Sequence, residues 1–576
     1  MRALRKFRFL AIFLLPALLF AQNTDEAKIK QQRRTMLIEQ TLADLQNLKL
    51  EENRAIVYVK IGNLTWDTDQ KRARALFQNA ISELINAQMV AESNPKTLAY
   101  QSDLLTGIST RPLILNAIAS RDAELALDLL VRTRPAAITK ALSMASAKST
   151  KINNAGNYNY LAQNEINLEQ TFSRLAADQN PEHAAKIIKD SLSKTVSNET
   201  MALLKKLAEK DPESANEFAS QVAEKLIQSK FSKDNQADYQ ILQASIGFLN
   251  EFVAAKSPSD HALKLDDGQM RQLFDKLVSY FLGDGSREAY YLTYSIIPIA
   301  EKLSPSSVEG LKRVAKTSPR GDMGFEYDPD LQKLLSSEST PEQLLAEARK
   351  YPLNSQRQIY QTAANKLAAQ GDMDRGAEIL KENFADDALE EALRNLSWQY
   401  SNNLSNAGKF AEAEQIIDQM PEGNQVNALV NLANTIYQRD PAKNKTYALA
   451  VIGKARALTD EKPETTNEMS NLMQVIGAYA NIEPTEGFRI YEALVPQMNE
   501  LTDAGAVING FQGGSNIRER EYVLNQGNYF GFYGADYSML QTFARSDFDR
   551  TIKLLDSFSR REVRISLKLQ LAESLN

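Results

Sequence analysis

The sequence predicts an all-α solenoid of stacked antiparallel helix pairs, from a recurring residue phase and the glycines between its helices. The segments DMDRGAEIL and KFAEAEQII share a turn residue, a small residue, and then two apolar residues at the same spacing. Copies of this phase recur at intervals of roughly 31 to 39 residues, or in a few places nearly twice or one and a half times that. A period of that size is typical of repeats that each form one helical hairpin stacked on its neighbours.

The small residue of each copy is expected where two helices approach most closely, because a larger side chain would hold their backbones apart. These small or anchor residues are Ala73, Ala126, Ala184, Ala215, Gly376, Ala413 and Thr551, with weaker copies near Ala289, Leu344, Ala448 and Gly487. The pattern therefore predicts a tight pair of helices in each repeat.

Turn residues mark the helix ends. Gly371 and Gly408 stand where a first helix must end, since glycine adopts the left-handed C-cap conformation at little cost. Side chains predicted to cap the following helices are those of Asp122, Asp211 and Asp372, with Pro181 and Pro212 in the first turns. Near the end of the chain, Val563, Leu567 and Leu571 recur at i+4, which favours a closing helix over a strand.

Several of these positions resemble the tetratricopeptide-type superfamily of helical-hairpin repeats. The matching residues are Gly408, Phe410, Ala413, Ile417 and Pro421, with Gly371, Met373 and Gly376 as their equivalents one repeat earlier. The Trp–Leu–Gly–Tyr positions of that repeat are occupied instead by Ser397, Tyr400, Ser401 and Leu404, so no named subfamily is indicated. The resemblance implies a right-handed superhelix whose concave face binds a partner.

Breaks in the repeat phase divide the chain into segments. We predict a signal peptide over 1–21, an N-terminal array over 22–320, a loop over 321–331, a C-terminal array over 332–507, a Gly/aromatic insertion over 508–537, and a terminal repeat and cap over 538–576. The Asn-rich stretch 153–164 is predicted to be a further loop.

The N-terminus has the pattern of an export signal. Four basic residues precede an apolar run that ends near Ala21 and is interrupted by Pro16. No later stretch approaches the roughly 20 apolar residues of a membrane helix, so no membrane span is expected after cleavage. We expect an exported protein, periplasmic or extracellular, without disulfides or a lipid-bearing cysteine.

The charge balance argues against nucleic acid as a partner. The chain carries a net charge of −6, and loss of the four basic residues of the signal leaves 63 basic against 73 acidic residues, or −10. Nucleic-acid binding depends on neutralising phosphates with basic side chains. A protein partner or an envelope polymer is therefore expected.

Residues suited to catalysis or metal binding are scarce. The two histidines, His183 and His261, are predicted to lie in turns or loops, and no HExxH or GxSxG motif occurs. The acidic loop of Asp322, Glu326, Asp328 and Asp330 lacks the spacing of an EF-hand and is predicted to be solvated. We predict no catalytic, cofactor or metal site.

The insertion 508–537 has two open interpretations. Its rings could stack on a ligand, in which case the ligand loop would consist of Arg518, Arg520, Tyr529, Phe530, Phe532 and Tyr533. Alternatively, the same rings could close the hydrophobic end of the array as a cap, which is the favoured interpretation. Trp66 and Trp398 are predicted to pack in the core.

The sequence favours an exported, non-catalytic scaffold that binds a protein or an envelope polymer through its repeats. One alternative is an all-α carbohydrate-active or lyase-like enzyme built as a helical toroid. A second is a structural component of an export or surface-assembly machine. An enzyme should gather carboxylates and tyrosines in one cleft, whereas a scaffold should spread polar residues along a groove.

Overall fold

A computed structural model describes most of the chain downstream of the predicted signal peptide. The described residues are 27–93, 101–146, 155–180, 182–194, 196–197, 199–229, 231, 236–254, 263–283, 289–317, 329–336, 338–511, 517–524 and 537–575. The predicted signal peptide, His261 and residues 321–328 of the predicted loop lie outside them.

The described residues form helices almost throughout. The first half of the chain forms α1 (27–45), α2 (Glu51–Thr65), α3 (Gln70–Ser93), α4 (Gln101–Ala119), α5 (Ala123–Arg132), α6 (Ala136–Ser146), α7 (Ala155–Gln179), α8 (Ala184–Lys194), α9 (Thr200–Ala208), α10 (Pro212–Gln228), α11 (Gln236–Ala254), α12 (Asp267–Gly283), α13 (Ala289–Leu303) and α14 (Val308–Thr317).

The second half continues the same architecture. Its elements are α15 (Pro329–Leu334), α16 (Pro341–Ala348), α17 (Leu353–Ala369), α18 (Met373–Asn383), α19 (Asp386–Asn406), α20 (Phe410–Asp418), α21 (Glu422–Arg439), α22 (Pro441–Ala457), α23 (Thr466–Ile482), α24 (Pro484–Phe511), β1 (Ile517–Arg518), β2 (Glu521–Tyr522), α25 (Tyr537–Ser546), α26 (Phe548–Asp556) and α27 (Arg561–Ser574).

The chain divides into two compact units. Unit I consists of Leu48–Arg320 and Val523–Asn525, and unit II of Met1–Asn47, Gly321–Tyr522 and Gln526–Asn576. In unit II the first helices of successive pairs, α17, α19, α21, α23, α25 and α27, contact one another in sequence, and each except the last, α27, is followed by a second helix that packs on it. In unit I the first helices are α2, α4, α7, α9, α11 and α13. The predicted all-α repeat fold is confirmed.

The anchor residues lie at the closest approaches between helices. A Cβ atom on Gly376 would stand 2.9 Å from the carbonyl oxygen of Ala364, and one on Gly487 would stand 2.9 Å from the nitrogen of Ala480. The alanines at the same position of other repeats, namely Ala73, Ala126, Ala215 and Ala413, are fully buried. Backbone contact of this kind leaves no room for a larger side chain.

The predicted turn residues have their expected roles. Gly371 and Gly408 adopt φ values of +94° and +80° directly after a first helix. The side chains of Asp122, Asp211 and Asp372 accept hydrogen bonds from the backbone N–H groups three residues later. Asp211 also accepts a hydrogen bond from Lys189 at 2.6 Å, and this bond, together with those from Ser214, lowers the pKa of Asp211 to about 2.

The prediction of a loop over 153–164 is wrong for residues 155–164, which are the described part. Helix α7 begins at Ala155, Ala162 and Gln163 are buried, and the side-chain amide of Gln163 donates to the carbonyl oxygen of Val196 at 3.2 Å. These tertiary contacts outweigh the weak helix propensity of the asparagines. The closing helix predicted around Val563 is confirmed as α27.

Helix α1 packs on the last helices of unit II. Leu37 and Leu45 are fully buried, and the guanidinium of Arg33 lies 4.6 Å from the ring centre of Phe548. On α27, the ammonium of Lys568 lies 3.6 Å from a carboxylate oxygen of Asp44 in α1. The first described helix therefore covers the end of the last repeat. No helix in the described ranges is both long and apolar enough to cross a membrane.

A buried ionic cluster joins three elements of unit I. Arg111 on α4 and Glu165 on α7 are each about 1% exposed and form a two-point ion pair with N–O distances of 2.7 and 3.0 Å. Arg134, in the turn after α5, donates to the same carboxylate at 2.7 Å. Two further donors of Arg111 are bound by the carbonyl of Leu130 and the hydroxyl of Thr133. Four of the five N–H donors of the guanidinium are thus paired.

Replacing Glu165 by Gln is expected to lower the free energy of unfolding of unit I by about 3–5 kcal/mol, because it leaves a buried guanidinium without its counter-charge. Urea unfolding followed through Trp66 fluorescence, in a Trp398→Phe background, measures this loss. As a control, Glu199→Gln removes the half-exposed pair with Arg174 and should cost less than about 1 kcal/mol. Equal losses in the two variants would contradict a special role for the buried cluster.

Candidate functional site

A groove crosses three neighbouring first helices of unit II. It encloses about 520 Å³ between α19, α21 and α23. Its lining consists of Arg394, Asn395, Trp398, Met420, Asn424, Asn427, Val430, Asn431 and Gln474. Because five of these nine residues carry a side-chain carboxamide, we call it the carboxamide groove.

Helical periodicity brings these side chains to one face. On α19, Arg394 and Trp398 are one turn apart, and on α21, Asn424, Asn427 and Asn431 follow at intervals of three and four residues. The core faces of the same helices carry buried residues such as Leu396 and Leu429. Each first helix is thus apolar toward the core and rich in amides toward the groove.

One polar atom of the groove is buried and has no partner. The side-chain oxygen of Asn427 is inaccessible to solvent and accepts no hydrogen bond from any described residue. Asn431, by contrast, donates to the side-chain oxygen of Asn402 at 3.1 Å. A buried acceptor without a donor costs about 1–3 kcal/mol relative to a satisfied one. Because solvent does not reach this oxygen, a bound donor would satisfy it only after the Asn427 side chain turns toward the groove.

Other polar groups of the groove are also available to a ligand. Within the described ranges, the side chains of Arg394, Asn395, Asn424 and Gln474 have no ion pair or hydrogen bond. Arg394, Asn395 and Gln474 are exposed, whereas Asn424 is half-buried. Together they present amide donors and acceptors and one guanidinium, and no carboxylate belongs to the lining.

The floor of the groove is apolar. Met420 and Val430 are 5% and 8% exposed, and Trp398 is half-buried beside them in the lining. The prediction that Trp398 packs in the core is therefore wrong, because its position on α19 faces the groove. The prediction for Trp66 is confirmed: its ring stacks on that of Phe77 with 5.8 Å between the ring centres.

Hydrogen bonds between second helices stabilise the repeats behind the groove. The hydroxyl of Tyr447 on α22 donates to a carboxylate oxygen of Glu414 on α20 at 2.7 Å, and the ammonium of Lys454 lies 2.7 Å from the other oxygen. Burial raises the pKa of Tyr447 to about 12, and the bond to Glu414 adds to this rise. The phenol therefore stays protonated and remains a donor at neutral pH.

The lining determines which chemistry the groove offers. It contains no carboxylate, imidazole or hydroxyl group that could move a proton or attack a substrate. Among the described residues, no cluster of three His, Asp or Glu side chains could hold a metal ion. His183 is exposed near Glu124, with 3.7 Å between the closest nitrogen and oxygen. The groove offers hydrogen bonds and apolar contact, which are the requirements of binding.

A second cavity, in unit I, is smaller and has fewer free polar groups. It encloses about 230 Å³ and is lined by residues of α9, α10, α11 and the turn before α9. Its hydroxyls, those of Ser197 and Thr200, both donate to the side-chain oxygen of Gln170, at 2.6 and 2.9 Å. Since these groups are already paired, the cavity requires no ligand to satisfy them.

The described part of the predicted ligand loop packs against unit II. Strands β1 and β2 pair through a two-residue turn in which Glu519 and Arg520 have φ values of +49° and +65°. Tyr522 is buried, its hydroxyl donates to the carbonyl of Thr502 at 2.8 Å, and Arg560 lies over its ring. Tyr529, Phe530, Phe532 and Tyr533 lie outside the described residues, so the ligand loop remains a prediction.

The two arginines of that loop differ in environment. Arg518 is half-buried in β1, whereas Arg520 is exposed at the turn, where its carbonyl accepts a hydrogen bond from Arg560 at 2.9 Å. Val523, directly after β2, is 2% exposed, and the backbone N–H of Leu524 donates to Asn53 within unit I. Both interpretations of the insertion, cap and ligand loop, therefore stay predictions.

Comparison with known proteins identifies no family for this chain. No protein-family model and no curated protein matches the chain. Among solved structures, a circular tandem repeat protein is similar at 14% identity over 92% of this chain and 98% of its own, with a TM-score of 0.17. The APC/C hetero-tetramer Cut9-Hcn1 is similar at 13% identity over 90% and 92%, with a TM-score of 0.18. Because both TM-scores are low, the function must be argued from the residues of this chain.

The carboxamide groove was not among the sites predicted from the sequence. A signal for it exists in α21, where Asn424, Asn427, Asn431 and Asn434 recur at helical spacing. Asparagine is a poor helix former, up to about 0.7 kcal/mol worse than alanine at each position. A stripe of such residues inside one helix therefore indicates a polar face that is retained for a reason other than helix stability.

Replacing Asn427 by Leu is expected to raise the free energy of unfolding of unit II by about 1 kcal/mol, because it removes a buried acceptor without a donor. Thermal and urea unfolding of the two proteins measure the change. Asn431→Leu is the matched control and should not stabilise, since it breaks the bond to Asn402. A clear loss of stability in Asn427→Leu would show that this side chain serves the fold.

Proposed function

We propose that this protein is an exported, non-catalytic scaffold that binds an extended segment of a partner protein in the carboxamide groove. The observation that carries the proposal is a groove in which the side-chain amides of Asn395, Asn424 and Gln474 have no hydrogen-bond partner among the described residues. Sites that bind without catalysing need complementary polar groups and contact area, and stacked hairpins supply both.

Carboxamides match the chemistry of a peptide backbone. Each side-chain amide offers one acceptor oxygen and two N–H donors, while each backbone residue offers one donor and one acceptor. A backbone N–H could therefore donate to the Asn427 oxygen, and backbone carbonyls could accept from Asn395 or Gln474. Recognition through the backbone requires an extended segment, because helices and sheets already use these groups.

The dimensions of the repeat suit such a segment. Neighbouring packed helices lie about 8–10 Å apart, and an extended chain advances about 3.3 Å per residue. About three residues would therefore span from one first helix to the next. Since the groove crosses α19, α21 and α23, a segment of roughly six to nine residues would fill it.

An envelope polysaccharide is the competing occupant. Trp398 could stack on a sugar ring, and amides also bind hydroxyl groups. A peptide is favoured because the groove has no carboxylate to accept the many O–H donors of a glycan, whereas donors and acceptors are balanced in both an amide and a peptide. The enzyme alternative finds no acid–base pair in this lining. A role in an export or surface-assembly machine would differ only in the partner.

Site-specific photo-crosslinking in the native cell tests the occupant. A benzoyl-phenylalanine placed at Asn395 or Gln474, both exposed in the lining, is expected to crosslink to a polypeptide, which mass spectrometry would map to one short segment. The control is the same group at Glu412, which is 55% exposed on the second helix α20. Crosslinks to polysaccharide alone, or equal crosslinking at Glu412, would overturn the proposal.

The proposed export rests on the basic and apolar N-terminal sequence. We expect the protein in the periplasm or medium with Gln22 as its first residue, as determined by cell fractionation and mass spectrometry of the intact chain. Leu18→Arg, which places a charge in the apolar run, should retain the protein inside the cell. Recovery of the wild-type chain in the cytoplasm with residues 1–21 attached would contradict export.

A further inference from the structure

We propose that the segment bound in the carboxamide groove carries one acidic side chain, held by Arg394, close to one nonpolar side chain, held by Trp398. This inference rests on the proposed function and specifies the partner of the same groove. It follows from the charge, the spacing and the surroundings of two residues on α19.

Arg394 is a cation without a counter-charge among the described residues. Its side chain is exposed, forms no ion pair there, and belongs to a lining that contains no carboxylate. On the neighbouring second helix α18, by contrast, the exposed Arg375 lies 3.0 Å from Glu378. A guanidinium presents a planar fork of donors that matches the two oxygens of a carboxylate. The complementary ligand group at this point is therefore a carboxylate.

A nonpolar subsite lies one helical turn from that charge. Trp398 follows Arg394 at i+4, and Met420 and Val430 complete an apolar surface beside it. Side chains four residues apart on a helix have Cβ atoms about 5–6 Å apart. A segment that runs across the first helices passes over α19 within about three residues. The acidic and nonpolar residues of the ligand should therefore lie within three positions of each other.

The charges near Arg394 limit the number of acidic residues. Arg394 is the single cation of the lining, and Glu390 and Glu391 lie about one turn before it on α19. Additional acidic residues in the ligand would face repulsion within a screening length of about 8 Å at physiological ionic strength. A segment with one acidic residue should therefore bind better than a polyacidic segment.

Selection of displayed peptides against the immobilised protein, residues 22–576, tests the inference. In a library of random dodecapeptides, each fused through its C-terminus to the display protein, the carboxylates that are offered belong to side chains and not to free C-termini. Wild type is expected to select peptides with one Asp or Glu within three positions of a nonpolar residue. Arg394→Gln should still select nonpolar-containing peptides but lose the acidic preference. Arg375→Gln, on the second helix α18, is the matched control and should select as wild type does.

Synthetic peptides with blocked termini give the quantitative test. Changing the acidic residue of a selected peptide to its amide should weaken binding to wild type at least tenfold and leave binding to Arg394→Gln unchanged. Adding two further acidic residues should weaken binding to wild type. The readout is fluorescence of Trp398 in a Trp66→Phe background, which leaves this indole as the single tryptophan of the chain.

The outcomes separate this inference from the proposed function. Peptides selected without an acidic residue, or an acidic preference that survives Arg394→Gln, would overturn the inference and leave peptide binding intact. If wild type selects no peptide at all, the proposed function fails, and the inference fails with it. Unchanged thermal unfolding of Arg394→Gln, expected for an exposed side chain, confirms that any loss arises at the groove.

Discussion

The close approach of paired helices at a small residue is the constraint on which each repeat depends. At Gly376 and Gly487 the facing backbone is so near that a methyl group would collide with it. Buried alanines occupy the same position in other repeats, for example Ala126 and Ala413. Because this contact fixes the distance between the members of a pair, it also fixes how neighbouring first helices align. The width of the carboxamide groove is therefore a consequence of residues that do not line it.

Structural features that depend on residues close together in the sequence could be predicted. Features that depend on contacts between distant residues could not. Caps such as Asp372, the left-handed Gly371 and the period of the anchors all act within a few residues, and the structure has them as predicted. The Asn-rich start of α7 was misassigned because its helical state depends on burial of Gln163 against Val196. Trp398 was misassigned because periodicity gives the face of a helix but does not identify what covers that face.

The carboxamide groove shows how a repeat protein can separate stability from recognition. Leu396 and Leu429 supply the burial that holds α19 and α21 in the stack, while the amides on their opposite faces contribute little to folding. Asparagines within a helix reduce its intrinsic stability, and the Asn427 oxygen adds the cost of an unsatisfied acceptor. Such costs are tolerable in a protein whose core is repeated from pair to pair, and they are typical of surfaces retained for a ligand.

Because α1 packs in unit II beside the C-terminal helices, the last stage of folding joins two segments that are far apart in the sequence. Arg561 on α27 donates to the backbone of Asn47, directly after α1, across 514 positions of sequence. If the intervening chain were unfolded, closing so long a loop would cost about 5 kcal/mol in entropy, more than this contact alone could repay. The helix can therefore dock only after the repeats between have formed. Synthesis begins with the segment that folds last, and until the ribosome has released the chain, the apolar end of unit II stays uncovered and open to chaperones or to misassembly.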